Sequence, residues 1–293
     1  MLTLPLMALG GLAAGVLGSI LGVGGGFIMV PLLSIVFHVP MHFAVSAGQA
    51  CVLATSSISA SYYIRQHLAH VRLGLALGIS SAIGAIAGAL LGSHLNGTVL
   101  SVAFGFLLIY VAYRMNQGNG KAEQRVANVE ACKVDHWGAG QALAFVGGVL
   151  SGLLGIGGGL VNVPVMCLVM GVPMRLAAAT STYMIGMTAV AGVTVYYAKG
   201  MMDLLVAGAC ACGVFLGALV GPRIGMRVHT RYLRLTFGVV ALYTAYTMIL
   251  KALPLTKSQQ VVVSVLLLVL SIGGVLLYRR IRDRRRAHEL VQP

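Results

Sequence analysis

Acidic side chains are scarce in this chain. Its 293 residues include six Asp and Glu, and charged residues make up 9% of the sequence whereas apolar residues make up 58%. Soluble domains carry about 25% charged residues, so the composition predicts an integral membrane protein. None of the six acids lies in the middle of an apolar run. This disfavours a cation transporter or a carboxylate proton relay, because such sites usually need acids at membrane depth.

Residues that usually carry enzyme or metal chemistry are also sparse. The five cysteines form no CxxC pair, and the eight histidines lie near segment ends without ligand spacing, so we expect no disulfide relay and no metal. The apolar segments offer no nucleophile with a base and no carboxylate pair, so we expect neither an enzyme nor a cofactor. The net charge of +14 comes from Lys and Arg at segment ends. That pattern is typical of membrane anchoring and not of nucleic-acid binding.

Glycine, by contrast, is abundant, and one glycine motif occurs twice. GVGGGFIMVP (22–31) and GIGGGLVNVP (155–164) are identical at six of ten positions and lie 133 residues apart. GFLLIYVAYRM (105–115) matches GVVALYTAYTM (238–248) at the same offset. GAIAGALLGSHL (84–95) matches GVFLGALVGPRI (213–224) at offset 129, which predicts a four-residue deletion before this segment and a four-residue insertion after it. The chain is therefore predicted to be an internal duplication.

The duplication suggests four regions along the chain. Each half holds four apolar segments, and a ninth apolar run at 260–278 has no partner and is followed by the basic run RRIRDRRR. We expect a first transmembrane repeat at 1–116, a cytoplasmic linker at 117–137, a second transmembrane repeat at 138–252, and an extra transmembrane helix with a basic cytoplasmic tail at 253–293. The N-terminal apolar run lacks a basic start and is too long for a cleaved signal peptide.

The first apolar segment of each half is too long for one straight crossing. Leu4–Phe37 contains 34 uncharged residues, whereas about 20 span a bilayer. Three successive glycines break the segment near its middle, at a heavy cost to helix formation. It could cross once with an unwound middle, or it could be a hairpin that returns to its own side.

Basic residues distinguish the two arrangements. Single crossings divide the 20 Lys and Arg nine to eleven, whereas hairpins divide them seventeen to three. The second division agrees with the positive-inside rule. We therefore predict an all-α membrane protein of two inverted repeats, each a re-entrant helix hairpin plus three transmembrane helices. The N-terminus would lie outside and the C-terminus in the cytoplasm.

The glycine breaks are candidate binding sites. Unwound backbone within a membrane is tolerated where it is buried in protein or lines a cavity, and free N–H groups at a helix N-terminus attract anions. The two breaks should therefore meet and bind a small anion without Lys or Arg, helped by hydroxyl and amide groups of the second segment of each half. Packing of the glycines without any ligand is the alternative. The predicted lining residues are Gly22, Gly24, Gly25, Gly26, Gln49, Thr55, Gly155, Gly157, Gly158, Gly159, Asn162, Thr180, Ser181 and Thr182.

The paired GxGGGxxxxP motifs, with AAATS (177–181) and KGMMD (199–203) in the second half, resemble the TauE/SafE family of sulfite and organosulfonate exporters. The resemblance covers nearly the whole chain. It implies a multi-pass permease of the bacterial inner membrane that moves a sulfur-containing anion such as sulfite or an organosulfonate, with export as the expected direction. The first half departs from the pattern, because SAGQ (46–49) replaces ATST (179–182) and HLAHVRLG (67–74) lacks the Asp of KGMMD.

Two functional hypotheses remain open at this point. One is a secondary transporter whose halves move around a bound anion. The other is a membrane scaffold or biogenesis subunit without a substrate of its own. The expected partners are a small anion and membrane lipid. The identity of the anion, the coupling ion and the presence of a homo-oligomer stay undetermined by sequence.

Overall fold

The computed structural model describes residues 3–21, 24–117, 137–225 and 242–250, and every regular element within them is a helix. The helices are α1 (Thr3–Leu21), α2 (Gly26–Pro31) continued by a π-helix (Leu32–Val36), α3 (Met41–Arg65), α4 (Val71–His94), α5 (Gly97–Gln117), α6 (Trp137–Leu154), α7 (Gly159–Leu168), α8 (Met174–Ala198) and α9 (Leu204–Gly225). Residues 242–250 are also helical. The all-helical prediction is confirmed for these residues. The predicted linker, the apolar run at 260–278 and Gly22 lie outside them.

Five of these helices are long and apolar enough to cross a membrane. They are α3, α4, α6, α8 over Leu176–Ala198, and α9 over Leu204–Gly221. Large apolar side chains on their outer faces are exposed, for example Leu205 at 74% and Ile83 at 58%. Such an apolar surface is stable against lipid and not against water. The chain is a multi-pass membrane protein.

The long apolar segment of each half is broken at its glycines. Helix α1 ends at Leu21 and α2 begins at Gly26, while α6 ends at Leu154 and α7 begins at Gly159. Each short helix folds back along the long helix before it. Residues at matching distances before and after each break approach closely, namely Gly10 and Leu32, Gly18 and Gly24, Gly140 and Met170, and Gly147 and Val161.

Local structure repeats at a constant offset of 133 residues. Helices α3 and α8 begin at Met41 and Met174, and α4 and α9 begin at Val71 and Leu204. The turns between these helices also match, because His67 N–H donates to the Ile64 carbonyl at 3.0 Å and Gly200 N–H donates to the Tyr197 carbonyl at 3.0 Å. The two halves therefore have the same loop length between these helices.

The prediction of a four-residue deletion in this loop is wrong. Gly88 packs against the carbonyl of Val149, and a Cβ atom on Gly221 would lie 2.8 Å from the carbonyl oxygen of Val16. Both residues of the second pair follow from the first at offset 133, not 129. Glycines spaced by four recur at each turn of a helix. A slip of one turn therefore preserves the sequence match, and sequence similarity alone chose the wrong register.

Helices from the two halves are interleaved. Gly15 of α1 lies 2.9 Å from the Val214 carbonyl carbon of α9, and Gly148 of α6 lies 2.7 Å from the Ser81 carbonyl carbon of α4, measured from Cβ positions built on the glycines. Small residues allow such close backbone approach in membranes. The described residues form two compact units, one holding α1–α4 and α6–α9, the other holding α5 from Ser101 onward with 242–250. Both breaks lie in the first unit.

Candidate functional site

The two glycine breaks lie against each other. A Cβ atom on Gly26 would collide with the carbonyl oxygen of Gly155 and would lie 2.8 Å from the carbonyl oxygen of Gly48. All three glycines are buried. Any larger residue at Gly26 would push the first break away from the second. The expectation that the breaks meet is therefore confirmed.

Two apolar side chains separate the breaks at their tips. A Cβ atom on Gly24 would lie 3.1 Å from Cγ1 of Val52 and 3.3 Å from Cδ1 of Ile185, and Gly157 is in contact with the same two side chains. Val52 and Ile185 are both fully buried, and they are equivalent residues of α3 and α8 at offset 133. The centre of the site is therefore apolar, and polar groups lie around it.

The first break uses its backbone donor internally. The N–H of Gly25 donates to Oγ1 of Thr55 at 3.2 Å, and the Thr55 hydroxyl donates to the Cys51 carbonyl at 2.8 Å. Because a hydroxyl has one proton, Thr55 can only accept from Gly25 in this arrangement. The carbonyl oxygen of Gly24 lies on the other side, 2.5 Å from the position of a Cβ atom on Gly18.

The equivalent threonine contacts the second break with the opposite polarity. The Thr188 hydroxyl lies 3.1 Å from the Gly157 carbonyl oxygen and 2.9 Å from the Ile185 carbonyl oxygen, so it faces a carbonyl and not an N–H. The backbone differs accordingly, since φ is −73° at Gly25 and +71° at Gly158. A left-handed φ is readily adopted by glycine alone. The peptide that joins Gly157 and Gly158 is therefore flipped relative to its counterpart in the first break.

This flip directs backbone donors towards polar side chains. In a trans peptide the C=O and the following N–H point in opposite directions, so the Gly158 N–H points away from Thr188. Ser151 and Asn162 lie beside Gly158, with Ser151 Cβ at 3.2 Å and Asn162 Nδ2 at 3.4 Å from its Cβ position. The N–H groups of Gly157, Gly158 and Gly159 have no hydrogen-bond partner among the described residues.

Buried polar side chains from three further helices complete this region. Gln49 Nε2 donates to the Ser151 carbonyl at 2.7 Å, and Asn162 Nδ2 lies 3.4 Å from Ser81 Oγ. All four residues are at most 1% exposed. Within the described part of the chain, Gln49 Oε1, Ser151 Oγ and Asn162 Oδ1 have no partner. Buried polar groups are normally paired, so this cluster is incomplete without a further group.

Sequence reasoning identified Gln49 and Asn162 but missed Ser151 and Ser81. Both serines lie on helices for which the sequence suggested packing alone. A signal was nevertheless present, because Ser151 stands where the first half has Gly18, and Ser81 stands where the second half has Val214 at offset 133. A polar residue whose repeat partner is apolar or lacks a side chain is a candidate for function and not for shared architecture.

The polar residues predicted near the start of α8 have other roles. Thr180 Oγ1 accepts from the His70 N–H at 3.0 Å, and Thr182 donates to the Ala178 carbonyl of its own helix at 2.9 Å. Ser181 is buried, and its hydroxyl has no partner among the described residues. No hydrogen bond seen in the described segments joins these three side chains to either break.

The buried polar side chains in the described segments are uncharged throughout, consisting of Ser, Thr, Gln and Asn. Nor do those segments bring together three His, Cys, Asp or Glu side chains that could hold a metal ion. The region between the breaks therefore offers neutral hydrogen-bond donors and acceptors in an apolar surround. Such a region can bind a small polar or anionic group by hydrogen bonds alone.

The model of one protein family, described as sulfite exporter TauE/SafE, matches residues 7–248 of the chain. The chain belongs to the TauE/SafE family. It is 27% identical to the probable membrane transporter protein YunE of Bacillus subtilis over 249 residues, which cover 78% of this chain and 91% of the relative. It is also 27% identical to the probable membrane transporter protein MJ0441 of Methanocaldococcus jannaschii over 267 residues, or 83% of this chain and 96% of the relative. No solved structure matches the chain.

Membership in the TauE/SafE family makes the chain one of a family of membrane transporters and not an enzyme. A plant relative, TauE/SafE family protein 6 of Arabidopsis thaliana, is 25% identical over 139 residues, or 46% of this chain and 32% of the relative. The glycine breaks and the polar cluster at the second break all fall within the matched residues 7–248.

The KGMMD stretch of this TauE/SafE protein has a structural role. Asp203 Oδ1 accepts from the N–H groups of Leu205 at 2.9 Å and Val206 at 3.2 Å, which caps the start of α9. In the first half, His70 Nδ1 accepts from the Leu73 N–H at 3.2 Å at the start of α4. His70 and Asp203 are equivalent at offset 133. The missing Asp of the first half is thus replaced by another helix cap.

Proposed function

We propose that this protein is a secondary transporter that exports a small sulfur-containing anion, such as sulfite or an organosulfonate, across the inner membrane of a bacterium. The observation that carries the proposal is the meeting of two glycine breaks in a buried, uncharged region with unpaired backbone donors. Such donors bind oxyanions at helix N-termini. The name of the matching family, sulfite exporter, supports the sulfur chemistry.

The proposed mechanism is alternating access by two inverted repeats. The repeats would be residues 1–116 and 138–252, joined by a cytoplasmic linker at 117–137 and followed by an extra helix and basic tail at 253–293. The constant offset of 133 between helices supports a duplication, and the seventeen-to-three division of Lys and Arg supports opposite orientations. The N-terminus would lie outside, and the interleaved repeats would move around the anion.

Electrostatics favours export over uptake for an uncoupled anion. A bacterial cytoplasm is negative relative to the outside, and moving one charge through 100 mV is worth about 2.3 kcal/mol. No buried carboxylate in the described residues is available to carry a coupling proton. Outward movement of a monoanion down the potential therefore needs no coupling ion.

Flux in proteoliposomes tests the proposal. We expect saturable flux of sulfite or methanesulfonate with the wild-type protein, and its loss in Gly158→Leu, because a side chain there would enter the donor region beside Ser151. Gly208→Leu is the matched control. Gly208 is exposed, and a Cβ atom there would have no neighbour within 4 Å, so its flux should equal that of the wild type.

The scaffold hypothesis predicts a different result. A well-folded, reconstituted wild-type protein without flux of any sulfur anion would reject the proposed substrate class, and repeated failure with other anions would favour the scaffold. Equal flux in wild type and Gly158→Leu would instead move the transport path away from the breaks.

A further inference from the structure

We infer that the second break alone carries the anion site, that Ser151 and Asn162 are its side-chain ligands, and that it accepts a singly charged oxyanion head group. This inference rests on the proposed transport function and narrows it. Duplicated architecture would allow two equivalent sites. The peptide orientations, the side chains and the charges each argue for one.

The orientation of the peptides separates the breaks. In the first break the Gly25 N–H is already bonded to Thr55, and the Gly24 carbonyl oxygen faces α1 at Gly18. An anion on the α1 side would therefore meet a carbonyl oxygen and be repelled. In the second break the flipped peptide presents the Gly158 N–H on the side of α6, where it meets Ser151.

The side chains differ in the same sense. Ser151 and Asn162 of the second break correspond to Gly18 and Met29 of the first at offset 133. Ser151 is fully buried with a hydroxyl that has no partner among the described residues, and Asn162 keeps one amide proton beyond its contact with Ser81. A hydroxyl, an amide and backbone N–H groups thus converge on one side of Gly158, and the first break has no counterpart to either side chain.

Gln49 fixes the position of this cluster. Its amide nitrogen donates to the Ser151 carbonyl at 2.7 Å, and a carbonyl can only accept, so the orientation of the amide is determined. Gln49 is the repeat partner of Thr182, which is bonded within its own helix. Gln49 therefore positions α6 beside the site from α3, and we treat it as a positioning residue.

The absence of charge sets the class of ligand. No buried side chain in the described ranges is charged, so the ligand's charge would be met by neutral donors only. Burying a charge without a counter-charge is costly, and the cost rises steeply with its magnitude. A sulfonate, or sulfite carrying one proton, presents a single negative charge and suits this site. A dianion such as sulfate does not.

Direct binding to the purified full-length protein tests the inference, with methanesulfonate and sulfate as probes in titration calorimetry. Ser151→Ala and Asn162→Met should each weaken methanesulfonate binding by about tenfold or more, the worth of a hydrogen bond to a charged group. Asn162→Met introduces the residue of the first break, and Ser151→Ala removes a hydroxyl that holds no other described group, so both proteins should fold. Sulfate should bind at least about tenfold more weakly than methanesulfonate to the wild type.

Two further variants make the test specific. Ser57→Ala removes an exposed hydroxyl on α3 and should leave affinity unchanged. Thr55→Val removes the acceptor of Gly25 in the first break, and its effect on affinity should stay within about twofold.

The outcomes separate the inference from the proposed function. A loss of affinity in Thr55→Val as large as that in Ser151→Ala would show that both breaks bind, and unchanged affinity in Ser151→Ala and Asn162→Met would remove them from the site. Either result, in a wild type that transports, overturns the single-site inference alone. Sulfate binding as tightly as methanesulfonate overturns the monoanion assignment. A wild type with neither binding nor flux overturns the proposed function as well.

Discussion

At the scale of single residues, the two halves solve the same backbone problem with different side chains. His67 has φ of +53°, and its repeat partner Gly200 has φ of +68° in a turn with the same hydrogen bonds. His38 and Gly171 form a second such pair, at +55° and +70°. A left-handed conformation costs a residue with a Cβ atom about 1–2 kcal/mol. The first half therefore carries strain that the second half avoids.

We expect His67→Gly to stabilise the protein. Relief of the left-handed strain should exceed the roughly 0.5–1 kcal/mol that glycine's freedom costs in the unfolded chain. The His67 side chain is exposed and makes no hydrogen bond to another described residue that would be lost. Thermal unfolding in detergent should show a modest rise in Tm. The reverse change, Gly200→His, should lower it, and a fall for His67→Gly would contradict the strain argument.

At the scale of elements, small residues determine how closely the helices pack. Gly213 of α9 lies against the backbone carbonyl of Ala8 in α1, whereas Gly208, five residues earlier on the same helix, has nothing within 4 Å of its Cβ position. The same residue type therefore serves close packing at one position and no packing at the other. The sequence pattern GxxxG alone does not distinguish them.

This contrast predicts opposite effects of the same substitution. Gly213→Ala should destabilise the protein by about 1–3 kcal/mol, because the added methyl group would overlap backbone that cannot rotate away. Gly208→Ala should stabilise it by up to about 1 kcal/mol through helix propensity. Unfolding in detergent measures both. Equal changes would mean that α1 and α9 can separate at little cost.

At the scale of the whole molecule, equivalent positions allow a direct test of orientation. Gln66 and Lys199 are exposed residues at the C-terminal ends of α3 and α8, with φ of −85° and −84°. They share local geometry and differ by 133 in number. In the proposed arrangement Gln66 faces the cytoplasm and Lys199 faces the outside, because an odd number of crossings separates the repeats.

Labelling of single cysteines would check this expectation. In a variant without the five native cysteines, Gln66→Cys should react with a membrane-impermeant maleimide only after the cells are opened. Lys199→Cys should react in intact cells. The exposed position and matched backbone of the two sites make their reactivities comparable. Reaction of both from the same side would replace the inverted repeats with parallel ones.

Much of the architecture could be predicted from the sequence because it depends on local composition. Apolar runs of membrane length predict spanning helices, and three adjacent glycines predict a break wherever they occur. The register of α4 against α9 could not be predicted, since glycines spaced by four match equally well one turn away. The turns around His67 and Gly200 establish it, because their hydrogen bonds recur at offset 133.

The sequence by itself determined that this is a duplicated, all-helical membrane protein with two glycine breaks and an uncharged interior. Only the tertiary structure decided which break presents free donors. Thr55 and Thr188 are the same residue at equivalent positions, yet one accepts from an N–H and the other contacts a carbonyl oxygen. The direction of a peptide group depends on what surrounds it on both sides. Ser151, Asn162 and Gln49 come together at the second break from three different helices.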